Sequence, residues 1–469
     1  MWVFGLRILN RGLGFTRTII LARILAPEDF GLLGIGMLSI ATLETFSQTG
    51  FGHALIQKKE NIDSYLDTAW TVSAIRGLVL FLILFVSAPL IAEFFNSEEA
   101  TLVIRVIAIS TLITGFKNIG VLFFLKKLEF NKQFIYELSG TVFDLSVAII
   151  LAFALRNVWA LIWGGLAGNF IRFLMSYLLH PYRPRLKVKR SQSKELFQFG
   201  KWIVGSGIIG FLINQGDDIF VGKMLGITAL GIYQMAYLLS NLPATEITHV
   251  VSQVTFPAYS KLQDNIPRLR SSFLKVLQVT IFFSAPVAGG IFILIPEFTE
   301  LVMGSKWMPM VPVMQVLVLA GMLRSIAGTT GPVFLAVGRP QIETIWNTIR
   351  LAILAVLIYP FTVRWGIIGT AMAVSINTLI ATIGYCFAVL RITKCTVQDF
   401  MKGISLPLLN TFIMISILFF IKSKCISIQY FQFFLLIGAG ALSYILIALL
   451  FDALLNYGIS KTIRENLPI

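Results

Sequence analysis

Arginines recur along the first apolar stretch of the sequence, and their spacing places three of them on one side of a helix. Arg7, Arg11 and Arg17 fall within an arc of about 120° when successive residues turn by about 100°. The planar guanidinium group matches phosphate oxygens through paired hydrogen bonds. The spacing therefore indicates a stripe that binds a diphosphate. For Arg7, near the end of the helix, extension of the side chain towards the bilayer surface is preferred. For Arg11 and Arg17 the alternative is an interhelical ion pair with Glu44 or Asp144, because buried ions often pair with one another.

Many other ionisable side chains lie within apolar stretches. An ionised group at the centre of a bilayer costs at least ~2.5–3.5 kcal/mol and usually faces a bundle interior or a wet cavity. A protein held together by packing alone would not keep so many of them, so they predict a polar passage. The further basic residues are Arg76, Arg105, Lys117, Arg172, Arg324 and Arg350, and the further acidic residues are Glu137, Asp217, Asp218 and Glu246.

The spacing of the polar residues predicts which of them share a helix face. Glu137 and Asp144 are seven residues apart and therefore share one face. Glu343, Asn347 and Arg350 form a similar stripe farther along the chain. A third polar line, which recurs every three or four residues, consists of Gln234, Tyr237, Asn241, Thr245, Thr248 and Ser252.

These patterns predict two groups of site residues. The adjacent carboxylates of Asp217 and Asp218 could bind a coupling cation or proton, but paired carboxylates are a weak signal, and a structural role is preferred. The predicted substrate cavity contains Arg11, Arg17, Arg76, Lys117, Arg172, Arg324, Arg350, Asn347 and Asn241. The acidic groups predicted to couple transport to an ion, or to neutralise arginines, are Glu44, Glu137, Asp144, Asp217 and Asp218.

Composition indicates what must position these groups. Of the 469 residues, 57% are hydrophobic and only 13% are charged, and the mean hydropathy is +0.83. A soluble domain carries about 25% charged residues, and a membrane span needs about 20 mostly apolar ones. We therefore predict an all-α integral membrane protein with about fourteen transmembrane helices. The predicted spans are residues 2–25, 29–56, 67–92, 100–125, 132–155, 157–179, 200–222, 229–256, 271–296, 310–337, 341–363, 365–390, 404–421 and 430–451.

The distribution of lysine and arginine predicts the orientation. Basic residues concentrate in one alternate set of loops, which should therefore be cytoplasmic together with both termini. This pattern explains the net charge of +15 without a nucleic-acid partner. Cys386, Cys395 and Cys425 are too few and too scattered for a zinc site or a disulfide framework, and the sequence indicates no cofactor. The opposite loops hold only Arg156, Lys223, Lys306, Arg364, Lys422 and Lys424.

An internal repeat predicts two parallel six-helix lobes. Residues 23–31 resemble residues 223–231 at an offset of 200, and Trp159 matches Trp365 at an offset of 206. An even number of spans per lobe relates the lobes by an axis along the membrane normal. The predicted boundaries are 1–182 for the N-terminal lobe, 183–199 for a basic cytoplasmic linker, 200–391 for the C-terminal lobe, and 392–469 for two accessory helices and a tail. The linker should anchor on anionic lipid, with docking of a partner enzyme as the alternative.

Two motifs resemble the polysaccharide-transporter (Wzx-type) branch of the multidrug/oligosaccharidyl-lipid/polysaccharide exporter superfamily. The first is residues 19–31, IILARILAPEDFG, and the second is residues 216–226, GDDIFVGKMLG, followed by LGIY at 230–233. The resemblance implies a flippase in the bacterial cytoplasmic membrane. Its substrate would be a polyprenyl-diphosphate-linked oligosaccharide. Its partners would be membrane lipids and possible enzymes of the same pathway, a polysaccharide polymerase or glycosyltransferases. It also implies a longer cytoplasmic leader, in which case Met1 is not the native start.

The same resemblance narrows the substrate. Arg11, Arg17 and Arg23 recur every six residues, as arginines do in the first helix of the lipid II flippase. The second span departs from that protein, because it has Glu44 and Thr49-Gly50 in place of basic residues and a Glu-Gly pair. The departure favours an O-antigen, capsule or exopolysaccharide repeat unit over lipid II.

An antiporter and an enzyme are the two alternatives to a flippase. A drug/cation antiporter of the same fold would need a cavity dominated by carboxylates, whereas basic groups are the more numerous here. A polysaccharide polymerase or ligase usually has a large extracytoplasmic loop with catalytic basic residues. The predicted outer loops are short, and no catalytic constellation is apparent, so the sequence predicts a transporter that works by alternating access rather than an enzyme.

Overall fold

A computed structural model describes residues 2–47, 63–242, 248–424 and 429–455, and these segments are helices joined by short turns. Thr245 and Glu246 of the predicted polar residues lie outside the described segments. The helices are α1 Trp2–Ile24, α2 Pro27–Phe46, α3 Asp63–Phe94, α4 Glu99–Gly115, α5 Leu122–Lys126, α6 Phe130–Leu155, α7 Trp159–Leu179, α8 Arg190–Leu225, α9 Ile227–Ser240, α10 Thr248–Leu262, α11 Ile266–Phe298, α12 Met310–Gly328, α13 Gly331–Ala336, α14 Gln341–Thr393, α15 Val397–Ser423 and α16 Tyr430–Leu455.

Length and hydropathy mark eight helices of the described segments as candidate membrane spans. A ninth is formed by residues 99–115 and 119–126, which meet at a bend of 69°. A straight helix with the 53 residues of α14 would be about 80 Å long at ~1.5 Å per residue, far more than one span needs. It folds back at Gly366, whose φ of +59° suits glycine, and each of its two arms is long enough for one span. The count of fourteen stays a prediction.

Several helix ends differ from the predicted spans. Helix α8 begins at Arg190, ten residues before the predicted start, because the rule counted apolar residues and missed a polar extension. The predicted span 100–125 is broken after Gly115, and its remainder forms a 3₁₀ turn and a short helix. Hydropathy cannot detect such a bend, since the residues on both sides of it are apolar.

The chain divides into two compact units, residues 1–232 and 233–469. In the first unit, helices α6 and α7 pack through small residues. A Cβ atom at Gly164 would strike Ala148, and one at Gly168 would approach the side chain of Asp144 to 2.8 Å. Small residues at four-residue intervals let two helix backbones approach closely. The close approach brings the acidic stripe of α6 next to α7.

Two glycines related by the internal repeat are in reciprocal contact within the first unit. A Cβ atom at Gly31 would overlap the carbonyl oxygen of Ile227, and one at Gly231 would overlap the carbonyl oxygen of Pro27. Each residue lies 200 positions from its counterpart, which is the offset of the repeat. The starts of α2 and α9 can therefore approach this closely only because both positions lack a side chain.

The first half of the basic linker lies extended along α3. The backbone amides of Arg185 and Lys187 donate to Asp67 Oδ1 and Thr71 Oγ1, and the hydroxyl of Tyr182 also donates to Asp67. Burial and the Asp67 carboxylate raise the pKa of Tyr182, so its hydroxyl remains a donor. The basic side chains recur at every second residue and are exposed, at Arg183, Arg185, Lys187 and Lys189.

His180 fixes the start of this linker in its neutral form. Its ring stacks on Phe123 with centroids 5.4 Å apart, and its Nδ1 accepts the amide hydrogen of Tyr182 at 3.2 Å. Burial lowers the pKa of His180, and the cations of Lys127 and Lys132 lower it further, against an opposing effect of Glu129. Protonation of Nδ1 would abolish the acceptor that Tyr182 uses.

We therefore expect the linker to loosen as the pH falls. A histidine whose pKa is lowered by folding stabilises the fold above its ordinary value of about 6.5, and that contribution is lost at lower pH. Hydrogen exchange of residues 181–189, corrected for intrinsic rates, should be faster at pH 5 than at pH 7.5. His180→Phe keeps the ring stacking but cannot titrate, so its exchange should lose the pH dependence. An unchanged pH dependence in that variant would assign the effect to another group.

The second unit is built around a core to which α11, α12, α13, α14 and α15 contribute, and in which Phe273, Leu277 and Phe334 are fully buried. The two C-terminal helices pack on α11. Lys422 of α15 forms an ion pair of 2.6 Å with Glu297, and the Tyr444 hydroxyl of α16 donates to the carbonyl oxygen of Phe282. These helices are therefore attached by polar contacts as well as by apolar packing.

Candidate functional site

A cavity of about 520 Å³ lies within the second unit, between α10, α12, α13 and both arms of α14. Volumes of ~300–1,000 Å³ are usual for sites that bind small ligands. Apolar side chains such as Phe256 and Leu335 form part of the wall. The polar and charged groups that line it are Arg324, Thr330, Glu343, Asn347, Arg350 and Tyr385.

Arg324 is held in place by the end of α9. Its Nη1 donates to Asn241 Oδ1 at 3.0 Å, and its guanidinium group lies 4.7 Å from the centre of the Tyr237 ring. Gly321, three residues earlier, lets α12 approach α9, because a Cβ atom there would overlap the carbonyl oxygen of Ser240. Two residues of the predicted polar line therefore orient one arginine, and the sequence predicted Arg324 and Asn241 as site residues.

The first arm of α14 supplies the predicted stripe of Glu343, Asn347 and Arg350, and all three line the cavity. The hydroxyl of Tyr385, from the second arm, donates to Asn347 Oδ1 at 2.9 Å. The Nε of Arg350 is buried and has no acceptor among the described residues. A buried donor without an acceptor is costly, so this group is well suited to an anionic ligand.

The charges of this cavity favour an anion. Two guanidinium groups, from Arg324 and Arg350, line it together with one carboxylate, from Glu343. Guanidinium groups bind phosphate oxygens through paired hydrogen bonds, and they do so more strongly away from bulk water. The arrangement can therefore hold a phosphate or diphosphate, with Asn347 and Tyr385 available for neutral hydroxyl groups.

In the first unit, the predicted arginines pair with the acidic stripe of α6. Arg17 Nη2 lies 2.9 Å from Asp144 Oδ1, and about one fifth of each side chain is exposed. The Nε of Arg17 is buried and has no acceptor among the described residues. The ion pair that the sequence offered as an alternative is therefore present, with Asp144 rather than Glu44 as the partner, and it leaves one donor of Arg17 over.

Arg172 of α7 makes the second of these contacts. Its Nε lies 3.4 Å from Glu137 Oε2, and its Nη2 donates to Thr141 Oγ1 at 3.2 Å. The side chain lies directly over Gly140, where a Cβ atom would approach it to 2.5 Å. Both acids of the stripe are thus matched by an arginine from a neighbouring helix.

Other predicted site residues have local roles or lie elsewhere. Arg76 donates to the carbonyl oxygens of Glu44 and Ser47, at 3.1 and 2.9 Å, and so caps the end of α2. Lys117 lies in the bend after α4, with its ammonium group 5.5 Å from the centre of the Tyr136 ring. Arg11 is exposed on α1. In α8, Asp217 is buried and Asp218 is half-buried.

A family of polysaccharide biosynthesis proteins matches residues 20–312, which is more than half of the chain. The chain belongs to this family. The resemblance found in the two sequence motifs is thereby confirmed.

Relatives of this polysaccharide biosynthesis protein span most of its length. The lipopolysaccharide biosynthesis protein WzxC of Escherichia coli K12 is 27% identical, over 79% of this chain and 75% of that protein. The teichuronic acid biosynthesis protein TuaB of Bacillus subtilis 168 is 26% identical, over 84% and 83%. The succinoglycan biosynthesis transport protein ExoT of Rhizobium meliloti 1021 is 23% identical, over 84% and 79%.

Solved structures share the fold of this family member. The lipid II flippase MurJ, in an inward closed conformation, has a TM-score of 0.77 at 18% identity and covers 96% of this chain and 98% of its own. An inward-facing multidrug resistance MATE family transporter has a TM-score of 0.65 at 16% identity and covers 82% and 95%. These likenesses confirm the predicted all-α, multi-pass membrane fold.

Tyr385 and Thr330 of this polysaccharide biosynthesis protein line the cavity but were not predicted from the sequence. Tyr385 lies 38 residues after Asn347 and reaches it only because α14 folds back at Gly366. A lone tyrosine in an apolar span gives no sign of the residue that its hydroxyl meets. The one available signal is that a buried tyrosine hydroxyl normally needs a polar partner.

Proposed function

We propose that this protein is a flippase that moves a polyprenyl-diphosphate-linked oligosaccharide across the bacterial cytoplasmic membrane. The observation that carries the proposal is the cavity in which Arg324 and Arg350 face one carboxylate. Membership of a polysaccharide biosynthesis family and a relative named as a transport protein support it. The expectation of a transporter rather than an enzyme is confirmed by the same family and relatives.

In this proposal the diphosphate binds Arg324 and Arg350, and Asn347 and Tyr385 contact the nearest sugar. Asn241 and Tyr237 keep Arg324 directed, because both hold its guanidinium group. The prenyl chain remains in the lipid, so this apolar chain never has to enter water. The substrate is an O-antigen, capsule or exopolysaccharide repeat unit.

The arginines of the first unit serve the same substrate through exchange of partners. Arg17 and Arg172 form ion pairs with Asp144 and Glu137. A diphosphate that competes for Arg17 would find the Nε still unused. Alternating access by the two predicted lobes exposes the substrate to each side of the membrane in turn.

The second candidate is a drug/cation antiporter, because a multidrug transporter shares the fold. Cation binding requires carboxylates without arginine partners, whereas Glu137 and Asp144 each have one. Glu44, Asp217 and Asp218 are the other acids predicted to couple transport to an ion. The charge balance of the cavity therefore favours the anionic substrate.

The proposed topology follows the distribution of lysine and arginine. Both termini lie in the cytoplasm. Twelve of the fourteen spans form lobes at 1–182 and 200–391, and the other two are the accessory helices of 392–469. The linker at 183–199 lies at the cytoplasmic surface, where its alternating cations meet anionic lipid. Glycosyltransferases of the same pathway act on the substrate before transport, or a polymerase acts on it afterwards.

Cells that lack the gene test this function directly. They should lose the surface glycan and accumulate its lipid-linked precursor on the cytoplasmic side of the membrane, and the intact gene should restore export. The measurement is the fraction of precursor accessible to a membrane-impermeant reagent, together with the growth of the cells on cationic drugs. Normal export combined with increased drug sensitivity would favour the antiporter instead.

A further inference from the structure

A second concave site lies on α14, at the end of the hairpin where the chain enters and leaves it. The groove has a volume of about 260 Å³ and lies between the two arms. Ile345 and Trp346 of the first arm and Phe387 and Ile392 of the second form walls that are almost entirely apolar. Arg339 and Arg391 close the groove at the end of the hairpin.

Gly384 lets the two arms of α14 pack closely at this groove. The ring of Trp346 occupies the space in which a side chain at this position would lie, because a Cβ atom would overlap its six-membered ring. The next residue, Tyr385, lines the larger cavity instead. Neighbouring residues of the two arms therefore serve two separate sites, one polar and one apolar.

The two arginines are available for an anion. Neither Arg339 nor Arg391 forms an ion pair with a carboxylate of the described residues, and both are exposed. The guanidinium group of Arg391 lies 4.3 Å from the centre of the Phe387 ring, which fixes it beside the apolar wall. Cations at one end of an apolar groove complement an amphiphile that has an anionic head.

The apolar wall is open to the surroundings. Ile345 is 56% exposed and Phe387 is 54% exposed, although both lie in a helix of membrane-spanning hydropathy. Arginines often cover apolar surface with their aliphatic stems while the guanidinium group extends into water. That role alone does not require a groove beside them. A groove with exposed aliphatic and aromatic walls can accept a hydrocarbon chain as well.

We propose that this groove binds an anionic phospholipid. The phosphate accepts hydrogen bonds from Arg339 and Arg391, and one acyl chain lies along Ile345, Trp346 and Phe387. Both arginines belong to the basic set of loops, so the lipid belongs to the cytoplasmic leaflet in the proposed topology. The site is distinct from the cavity that holds the transported substrate, and the binding test does not depend on transport.

Native mass spectrometry of the purified full-length protein tests the site. With phosphatidylglycerol and phosphatidylcholine as probes, we expect the protein to retain phosphatidylglycerol selectively. The variant Arg339→Gln/Arg391→Gln should bind it about 25-fold more weakly, since a cation near anionic lipid contributes about 1 kcal/mol and 1.4 kcal/mol is tenfold. Arg364→Gln is the matched control, because Arg364 lies 5.1 Å from the Trp365 ring at the opposite end of the same hairpin.

A second measurement protects the test against a double variant that fails to fold. Phosphatidylglycerol brominated on its acyl chains should quench tryptophan fluorescence, and Trp346→Phe, which keeps both arginines, should remove part of that quenching. Equal retention of the two lipids, an equal loss in Arg364→Gln, or unchanged quenching in Trp346→Phe would overturn the proposal. So would displacement of phosphatidylglycerol by polyprenyl diphosphate at equal concentration, which would make the groove a substrate site.

Discussion

Replacing Arg324 and Arg350 together with glutamine is expected to lower export of the lipid-linked glycan on the order of 100-fold or more. A hydrogen bond to a charged group contributes about 1.5–3 kcal/mol, and two such groups face the proposed diphosphate. Glutamine keeps much of the side-chain length and polarity, so the cavity wall should persist. Export is measured as the accessible fraction of lipid-linked precursor, at protein levels matched by immunoblot.

Two further variants sharpen this prediction. Arg324→Lys keeps the charge but loses the planar fork, so export should fall to an intermediate level. Arg105→Gln is the matched control, because Arg105 is also within a helix and lies 5.0 Å from the Phe85 ring, yet it is not part of the cavity. Near-normal export in the double variant, or an equal loss in Arg105→Gln, would move the anion site elsewhere.

Helical periodicity was enough to predict one wall of the cavity. Glu343, Asn347 and Arg350 were assigned to one face from their spacing, and they line one cavity. The acidic stripe of α6 was found in the same way, and both of its members meet an arginine. Period-based arguments succeed here because a helix fixes the direction of each side chain relative to its neighbours.

Contacts between distant segments could not be predicted in the same way. Tyr385 meets Asn347 because of a fold-back at Gly366, and Arg76 caps α2 because α3 passes the end of that helix. In both cases the partner is a hydroxyl, an amide or a backbone carbonyl, which carries no charge to search for. Sequence spacing gives the face of a helix, but the neighbour of that face depends on tertiary packing.

Arg17 was predicted either to bind the diphosphate or to form an ion pair, and the structure contains the ion pair. Arg17 and Asp144 form a half-buried ion pair, and removal of either charge leaves the other without compensation. Arg17→Gln and Asp144→Asn should each destabilise the protein by about 2 kcal/mol, which is below the ~3–5 kcal/mol of fully buried pairs because one fifth of each side chain is exposed. The double variant should recover most of that stability, as measured by thermal unfolding.

Export should follow a different pattern from stability. If Arg17 also binds the diphosphate through its unused Nε, then Arg17→Gln should reduce export at least about tenfold, which corresponds to one lost charged hydrogen bond. The double variant should remain equally defective although its stability has returned. Asp144→Asn alone should keep most of its export, because it leaves the arginine in place.

The ion pair of Lys422 and Glu297 provides the matched control for this comparison. It is also short, at 2.6 Å, and similarly half-buried, but it joins an accessory helix to α11 away from the cavity. Its single and double variants should show the same pattern in stability and little change in export. If export instead returns in Arg17→Gln/Asp144→Asn, then Arg17 only holds α1 against α6, and the diphosphate depends on Arg324 and Arg350.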